Sequence, residues 1–335
     1  MPRAIQQSGQ VELPRTHKPV RVAVMRIVIV VCTHNQPDNM VATLASVGRL
    51  TVTSSVACSF TVVNNAAANM CSSELEAHVK TLPTSVLHEP TPGLSIARNT
   101  GVSQIDADYV IFTDDDVTVP ADWLARYAAA FRRYPDAVFF GSDVVPVFAD
   151  ADASWARALS RSAGSCFARF RVGARDRKID TQTNPRFYPF GANMAFRLDM
   201  LRQFRFDESL GRQPDGLVLS GEETKLIGEM VAAGHRGYLI ADNPVNHCIA
   251  PSRQTLEYVR RYYYGQGWLQ ASIAVRTQGW TMKADRVLSP VVAYLFRQAQ
   301  TVAGNLPGKN LRIWIERQHG HFSGRTAVFR DLPRT

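Results

Sequence analysis

The 335-residue chain is poor in cysteine and has none of the patterns that give cysteines a shared role. Cys32, Cys58, Cys71, Cys166 and Cys248 are scattered, odd in number and without a CxxC pair. That argues against a disulfide framework or a zinc site and for a reducing, cytoplasmic compartment. No run approaches 18 continuous apolar residues, so no transmembrane helix is expected. Residues 1–24 carry Pro2, Pro14 and Pro19 and lack an apolar segment, so they read as a flexible leader rather than a secretory signal, with Met25 a second candidate start. The first expected strand ends in Thr33-His34-Asn35-Gln36-Pro37 instead of a GxGxxG turn, which removes the usual basis for a dinucleotide site. Gly304, Gly308 and Lys309 fall one residue short of a phosphate loop and are followed by Asn310. Neither GxSxG nor HExxH occurs, so hydrolase readings have little support.

What is present describes an ordinary globular protein, 45% hydrophobic and 20% charged. The net charge of +9 is concentrated at one end: residues 251–335 hold 13 Lys or Arg against 4 Asp or Glu, and the remainder balances at 25 of each. A basic tail on a neutral body fits either a solvated helical surface or peripheral contact with an anionic membrane, here the inner face. No nucleic-acid-binding motif accompanies it, so nucleic acid is not an expected partner.

From Met25 onward, strand and helix patterns alternate, the mark of a mostly parallel sheet flanked by helices in an α/β fold. Expected strands are RIVIVVC, SFTVVNN, SVLHE, YVIFTDDD, DAVFFGSDVVPV (a strand pair or one bent strand), RFYPFGANMAFR and GYLIADNPVNHC. Expected helices follow Pro37, lie around Ser73–Val79, and run through PGLSIARNTGVSQ, PADWLARYAAAFRRYP and SGEETKLIGEMVAAG. Residues 150–185 read as irregular and Arg-rich, a long loop or a helical insertion, and residues 251–335 as a basic, mostly helical extension packed on a 25–250 body.

The most informative stretch is YVIFTDDDV, residues 109–117. A buried strand that ends in Asp114, Asp115 and Asp116 crowds negative charge at the sheet edge where α/β folds bind ligands. Such a cluster is costly unless a cation or a donor-rich ligand neutralises it. The residues after Asp116 rule out a calcium loop, whereas Mg²⁺ or Mn²⁺ held by one or two carboxylates and substrate phosphates fits. A solvated acidic turn is the alternative. Glu222 and Glu223 form a second acidic point. Ser220 with Glu223 three residues on has the form of a capping box, which would place the pair structurally rather than chemically. Arg98 and Asn99 lie on the helix before the triplet, where an arginine suits a phosphate or a base, or serves only to cap and solvate the helix. His247, after the last strand, is a candidate third metal ligand or a hydrogen-bonded structural residue.

Taken in order, VVCTHNQPDNMVATLASV, VVNNAA, PGLSIARNTGV, YVIFTDDDVTVPADWL, FGANMAFRLDML and SGEETKLIGEMVAAGHRGYLI resemble the family 2 glycosyltransferases over roughly residues 25–265. The resemblance implies a GT-A (Rossmann-like) fold and an inverting transfer of sugar from a nucleotide-diphosphate donor to an acceptor hydroxyl. Saccharide, lipid-linked or small-molecule acceptors would all fit such an enzyme of polysaccharide, glycolipid or glycoconjugate synthesis. It implies nucleotide-sugar contacts from Thr33, Asn35, Asn64, Asn65, Arg98, Asp114 and Asp115. Metal ligation would fall to the 114–116 cluster, with Asp114 and Asp116 as the outer members of a DxD motif. Glu223 takes the place of the catalytic base, with Glu222 the alternate, and Gly191 and Asn193 would lie near the acceptor. Asn64 and Glu223 stand where the family commonly has Asp. The aromatic and basic run Arg260, Arg261, Tyr262, Tyr263, Tyr264 and Trp268 reads as an acceptor grip or as helix packing. An inactive donor-binding protein and a sugar-nucleotide pyrophosphorylase are the rival readings, the second weakened because THNQP lacks a Gly- and Arg-rich loop.

Overall fold

Ile27–Val31 are almost wholly buried, as expected of a strand covered on both faces. In a computed structural model of the chain, which describes residues 24–34, 37–66, 79–149, 151–212, 218–277, 281–303 and 308–330, this run is the central strand β1 (Met25–Thr33). It is followed by α1 (Pro37–Val47), β2 (Val56–Asn64), β3 (Thr84–His88), α2 (Leu94–Gln104), β4 (Tyr109–Asp114), β5 (Val117–Thr118), α3 (Trp123–Arg133) and β6 (Phe139–Phe148). Then come α4 (Ala153–Ser162), β7 (Arg177–Ile179), β8 (Met194–Arg197), α5 (Leu198–Leu201), β9 (Gly211–Arg212), β10 (Val218–Leu219), α6 (Glu222–Ala232) and β11 (Gly237–Ile249). Three long helices close the chain: α7 (Leu256–Thr277), α8 (Thr281–Ala303) and α9 (Lys309–Arg330). Asn35, nearly all of the leader and all but Val79 of the helix expected around Ser73–Val79 lie outside the described residues.

The main sheet runs β3-β2-β1-β4-β8-β6-β11-β5, with β7 on β11. Its order is parallel in two blocks, β3-β2-β1-β4 and β6-β11. The short β8 joins them by pairing antiparallel with both β4 and β6. Connections through α1, α2 and α3 bury their apolar faces on the sheet, which makes one large core from Ile27 to Val245. β1 and β4 pair in parallel with Cys32 opposite Asp114, so their carboxyl ends open on the same side.

Several expectations change. Of the two readings of DAVFFGSDVVPV the single strand holds, as the ten residues Phe139–Phe148. RFYPFGANMAFR is mostly turn: Pro185–Phe187 and Gly191–Asn193 are 3₁₀ turns, and only Met194–Arg197 is strand. Two prolines, Pro185 and Pro189, remove ladder donors there. The 150–185 insertion contains α4 and β7. The capping box is absent, because α6 starts from Gly221 with no side-chain cap, and Ser220 Oγ instead accepts from Gln266 Nε2 at 2.6 Å.

The C-terminal helices build a second apolar cluster with α4, including Leu159, Phe167, Ile249, Val259 and Ile313. α7 and α9 cross with their backbones touching. A Cβ on Gly267 would lie 1.9 Å from the His321 carbonyl oxygen, and one on Gly324 would lie 1.9 Å from that of Tyr264. Only glycine permits that approach, and Gly320 and Gly324 repeat it one turn apart.

Candidate active site

The carboxyl ends of β1 and β4 open into a cavity of about 1180 Å³, lined among others by Thr33, Asp114, Asp116, Glu223, His247 and Arg253. Three consecutive aspartates meet three different fates there. Asp115 turns toward β1: its Oδ2 accepts from Thr33 Oγ1 at 2.6 Å, and its carbonyl accepts from Thr43 Oγ1 at 2.8 Å. Asp114 and Asp116 face the cavity. β5 pairs with β11 so that Val117 lies opposite His247, and the Cys248 amide donates to the Asp116 carbonyl at 2.8 Å. That pairing brings His247 Nε2 to 3.3 Å from Asp116 Oδ1.

One atom each from Asp114, Asp116 and His247 lies within 4.8 Å of the others. His247 is buried, and its Nδ1 sits 3.0 Å from the Phe167 carbonyl, which can only accept. A neutral ring therefore carries its proton on Nδ1 and aims a lone pair from Nε2 at the carboxylates. Two carboxylates and an oriented imidazole suit Mn²⁺ or Mg²⁺, and the carbonyl contact is the outer support that metal-binding histidines commonly have.

The opposite wall holds buried charge. Arg98 on α2 is almost inaccessible; it donates to Glu222 Oε1 at 2.7 Å and lies 3.7 Å from Asp114 Oδ1. Its guanidinium rests against Phe112 and Phe206, at 5.9 and 5.4 Å. Gly191 packs directly on it, since a Cβ there would lie 2.3 Å from Arg98 Nη2. Glu222 is thus engaged at both oxygens, the second accepting from the Gly221 amide at 3.0 Å. Glu223 is different: it is buried and its Oε2 has no hydrogen-bond partner. Burial, then the neighbouring Glu222 charge, pushes the Glu223 carboxyl up to about 8 against the pull of Arg98. A carboxylate held this way is poised to take a proton.

The other expected residues are engaged in structural hydrogen bonds, Asn65 while also lining the cavity. Asn65 braces the loop before α2, its Nδ2 donating to the Glu89 and Thr91 carbonyls and its Oδ1 accepting from the Gly93 amide at 2.7 Å. Asn64 Oδ1 accepts from the Ala66 amide. Asn193, expected near the acceptor, is brought into the core instead. Trp123 Nε1 and Tyr127 OH donate to its Oδ1, and its Nδ2 serves the Asp143 and Asn243 carbonyls. Gly191, two residues before it in the same 3₁₀ turn, does line the cavity. Of the aromatic run on α7, Tyr262 and Tyr263 line the cavity with Gln266 and with Arg317 of α9, whereas Arg260 pairs with Glu257 and Glu316. Arg253 and Tyr258 were not anticipated; a lone arginine after Pro251 carries no motif, and only the fold brings it to Asp116.

Residues 28–205 match the family model described as Glycosyl transferase family 2. Over 186 residues the chain is 25% identical to the glucosyl-dolichyl phosphate glucuronosyltransferase of Haloferax volcanii, a stretch covering 55% of this chain and 57% of that protein. Over 119 residues it is 31% identical to the succinoglycan biosynthesis protein ExoM of Rhizobium meliloti, covering 35% of this chain and 38% of that one. Thus the chain spans little more than half of the first relative's length and under half of the second's. Among solved structures, the mannosyltransferase PcManGT from Pyrobaculum calidifontis, in complex with GDP-Man and Mn²⁺, matches with a TM-score of 0.56 at 17% identity over 94% of this chain and 91% of that one. TarS 1-349 of S. aureus in complex with UDP-GlcNAc matches with a TM-score of 0.52 at 12% identity over 91% and 92%. At such identities these likenesses show the fold alone, a mixed α/β sheet in the GT-A arrangement.

Proposed function

Because the chain belongs to glycosyl transferase family 2, we propose that it moves a sugar from a nucleotide diphosphate donor to an acceptor hydroxyl with inversion at the anomeric carbon. The observation that carries this reading is Glu223, a buried carboxylate with one unpartnered oxygen, in the same cavity as Asp114, Asp116 and His247. Glu223 accepts the proton of the acceptor hydroxyl as that oxygen bonds to the anomeric carbon. The bond from that carbon to the diphosphate oxygen breaks on the opposite face, and the nucleoside diphosphate leaves with the electron pair. Asp114, Asp116 and His247 would hold a divalent ion, which would supply charge stabilisation for the leaving diphosphate. Glu222 and Arg98 neutralise each other and hold α6 against α2, which fixes where Glu223 points. Thr33 and Asp115 shape the donor side; Tyr262, Tyr263 and Gln266 shape the acceptor side.

The acceptor class we favour is a lipid-linked saccharide. One relative's name carries a dolichyl phosphate, and another belongs to succinoglycan biosynthesis. No helix among the described residues is long and apolar enough to cross a membrane. α8 nonetheless exposes Leu288, Val291 and Leu295 at helical spacing, near exposed Tyr294 and Trp314, on the basic end of the chain. An apolar stripe among cations suits shallow insertion at an anionic bilayer surface.

Thermal shift across a panel of sugar nucleotides with Mn²⁺ tests the reading first, since the true donor stabilises the fold by mass action. Transfer from that donor to a lipid-linked acceptor, with the product's anomeric configuration read by NMR, tests the rest. A retained configuration, or no stabilisation by any donor, contradicts it.

A further inference from the structure

Arg253 stands on the turn Pro251–Arg253 that leaves β11, with its side chain largely buried. Its Nη1 donates to Asp116 Oδ2 at 2.8 Å and lies 3.4 Å from His247 Nε2. Its Nε donates to Tyr258 OH at 3.1 Å, and the guanidinium sits 5.3 Å over the Tyr258 ring. His247 Nε2 lies only 3.3 Å from Asp116 Oδ1, and the largely buried Asp116 carboxylate needs positive charge beside it. The guanidinium answers that need from one side, and a metal ion would answer it from the cavity. Both use Asp116 and His247.

Resting on the metal reading above, we propose that Arg253 is a built-in competitor for the metal ligands, its guanidinium and the divalent ion exchanging places on Asp116 and His247. Tyr258 is the pivot. It keeps its hydrogen bond and its stacking contact while the Nη1 end lets go, so a released Arg253 stays at the cavity wall as a free cation. An anion carried by the ion then meets two positive groups instead of one. The ion alone binds weakly, because it must displace Arg253, and ion and anionic cargo reinforce each other, because the cargo uses the cation that the ion set free. Arg253 is on this account a positioning residue for metal loading.

The test is Mn²⁺ binding alone, followed by calorimetry on the full chain without any nucleotide. Arg253→Gln is expected to tighten Mn²⁺ binding by about five- to tenfold, the worth of one lost charge-assisted hydrogen bond to Asp116. Tyr258→Phe, a milder change, is expected to tighten it by about twofold to threefold, and it decides the matter if Arg253→Gln does not fold. Arg317→Gln removes a charge from the same cavity without touching Asp116, and is expected to change the affinity by less than about twofold. Unchanged or weaker Mn²⁺ binding in Arg253→Gln overturns the competition, and equal tightening by Arg317→Gln overturns it in favour of general electrostatics. Asp114→Asn separates the two readings. If it binds Mn²⁺ as the wild type does, the metal site itself is wrong and the competition falls with it.

Discussion

At the sheet edge, Arg98, Glu222, Glu223 and His247 are almost fully buried, and one Glu223 oxygen is left without a partner. In the C-terminal helices the opposite holds: α7 and α9 bring glycines so close that their backbones touch, while α8 leaves Leu288, Val291 and Leu295 in solvent. The first region gives up stability to keep charge where chemistry needs it; the second is packed tightly inside and left apolar outside. Buried, under-satisfied polar groups in native proteins concentrate at working sites, whereas a close glycine crossing fixes geometry only. The cavity lies between the two, floored by the aspartates and walled by Tyr262, Tyr263 and Arg317 of the helices.

Four changes break or sharpen that contrast. The largest effect is expected from Glu223→Gln, which should lower kcat by about 10²–10⁴-fold while leaving the donor dissociation constant within about twofold. The same variant should be more heat-stable than the wild type in alkaline buffer. The Glu223 carboxyl is raised from its usual 4.5 to about 8, so the folded state holds a proton that the unfolded chain releases. Stability is therefore fully kept below about 4.5 and lost progressively as pH rises to about 8. Melting temperatures should coincide near the lower limit and diverge above the upper one; a constant difference would refute the assignment of cause. Next, Gly191→Ala places a methyl where Arg98 Nη2 lies and should displace the guanidinium from Glu222. About a tenfold fall in kcat, with a modest change in KM, is expected from kinetics at saturating donor. In the helical region, Gly324→Ala should cost about 1–3 kcal/mol in a urea melt, with turnover per folded molecule nearly unchanged. The smallest catalytic effect belongs to Leu288, Val291 and Leu295 changed together to Ser. Transfer to a water-soluble acceptor should be unaltered, while co-sedimentation with anionic vesicles is lost; undiminished sedimentation would remove α8 from the membrane account.

Much of this is legible in the sequence. Apolar runs such as RIVIVV and YVIF are strands because Val and Ile favour extended backbone and both faces are buried, and the parallel blocks match them. The triplet at 114–116 and the glutamates at 222 and 223 were found as charge out of place, a signal local to the sequence. What stayed hidden is set by distance along the chain. No spacing rule shows that Asp115 is held by Thr33, that Asn193 is spent on Trp123 and Tyr127, or that Arg253 reaches Asp116 across 137 positions. The capping box failed for a local reason. Gly221, at φ 129°, lets the chain turn sharply into α6, so Ser220 faces α7 rather than the helix start. FGANMAFR misled because its alternation is that of a strand, whereas Pro189 and the Gly191 contact with Arg98 force a turn.

The most direct test of Glu223 as the base is the pH dependence of kcat/KM for sugar transfer, which reports the ionisation of the free enzyme. The account predicts a rate that climbs about tenfold per pH unit and levels off near pH 8, where the buried carboxyl has lost its proton. A profile already flat from pH 5 upward would mean that the proton goes elsewhere, and would contradict it.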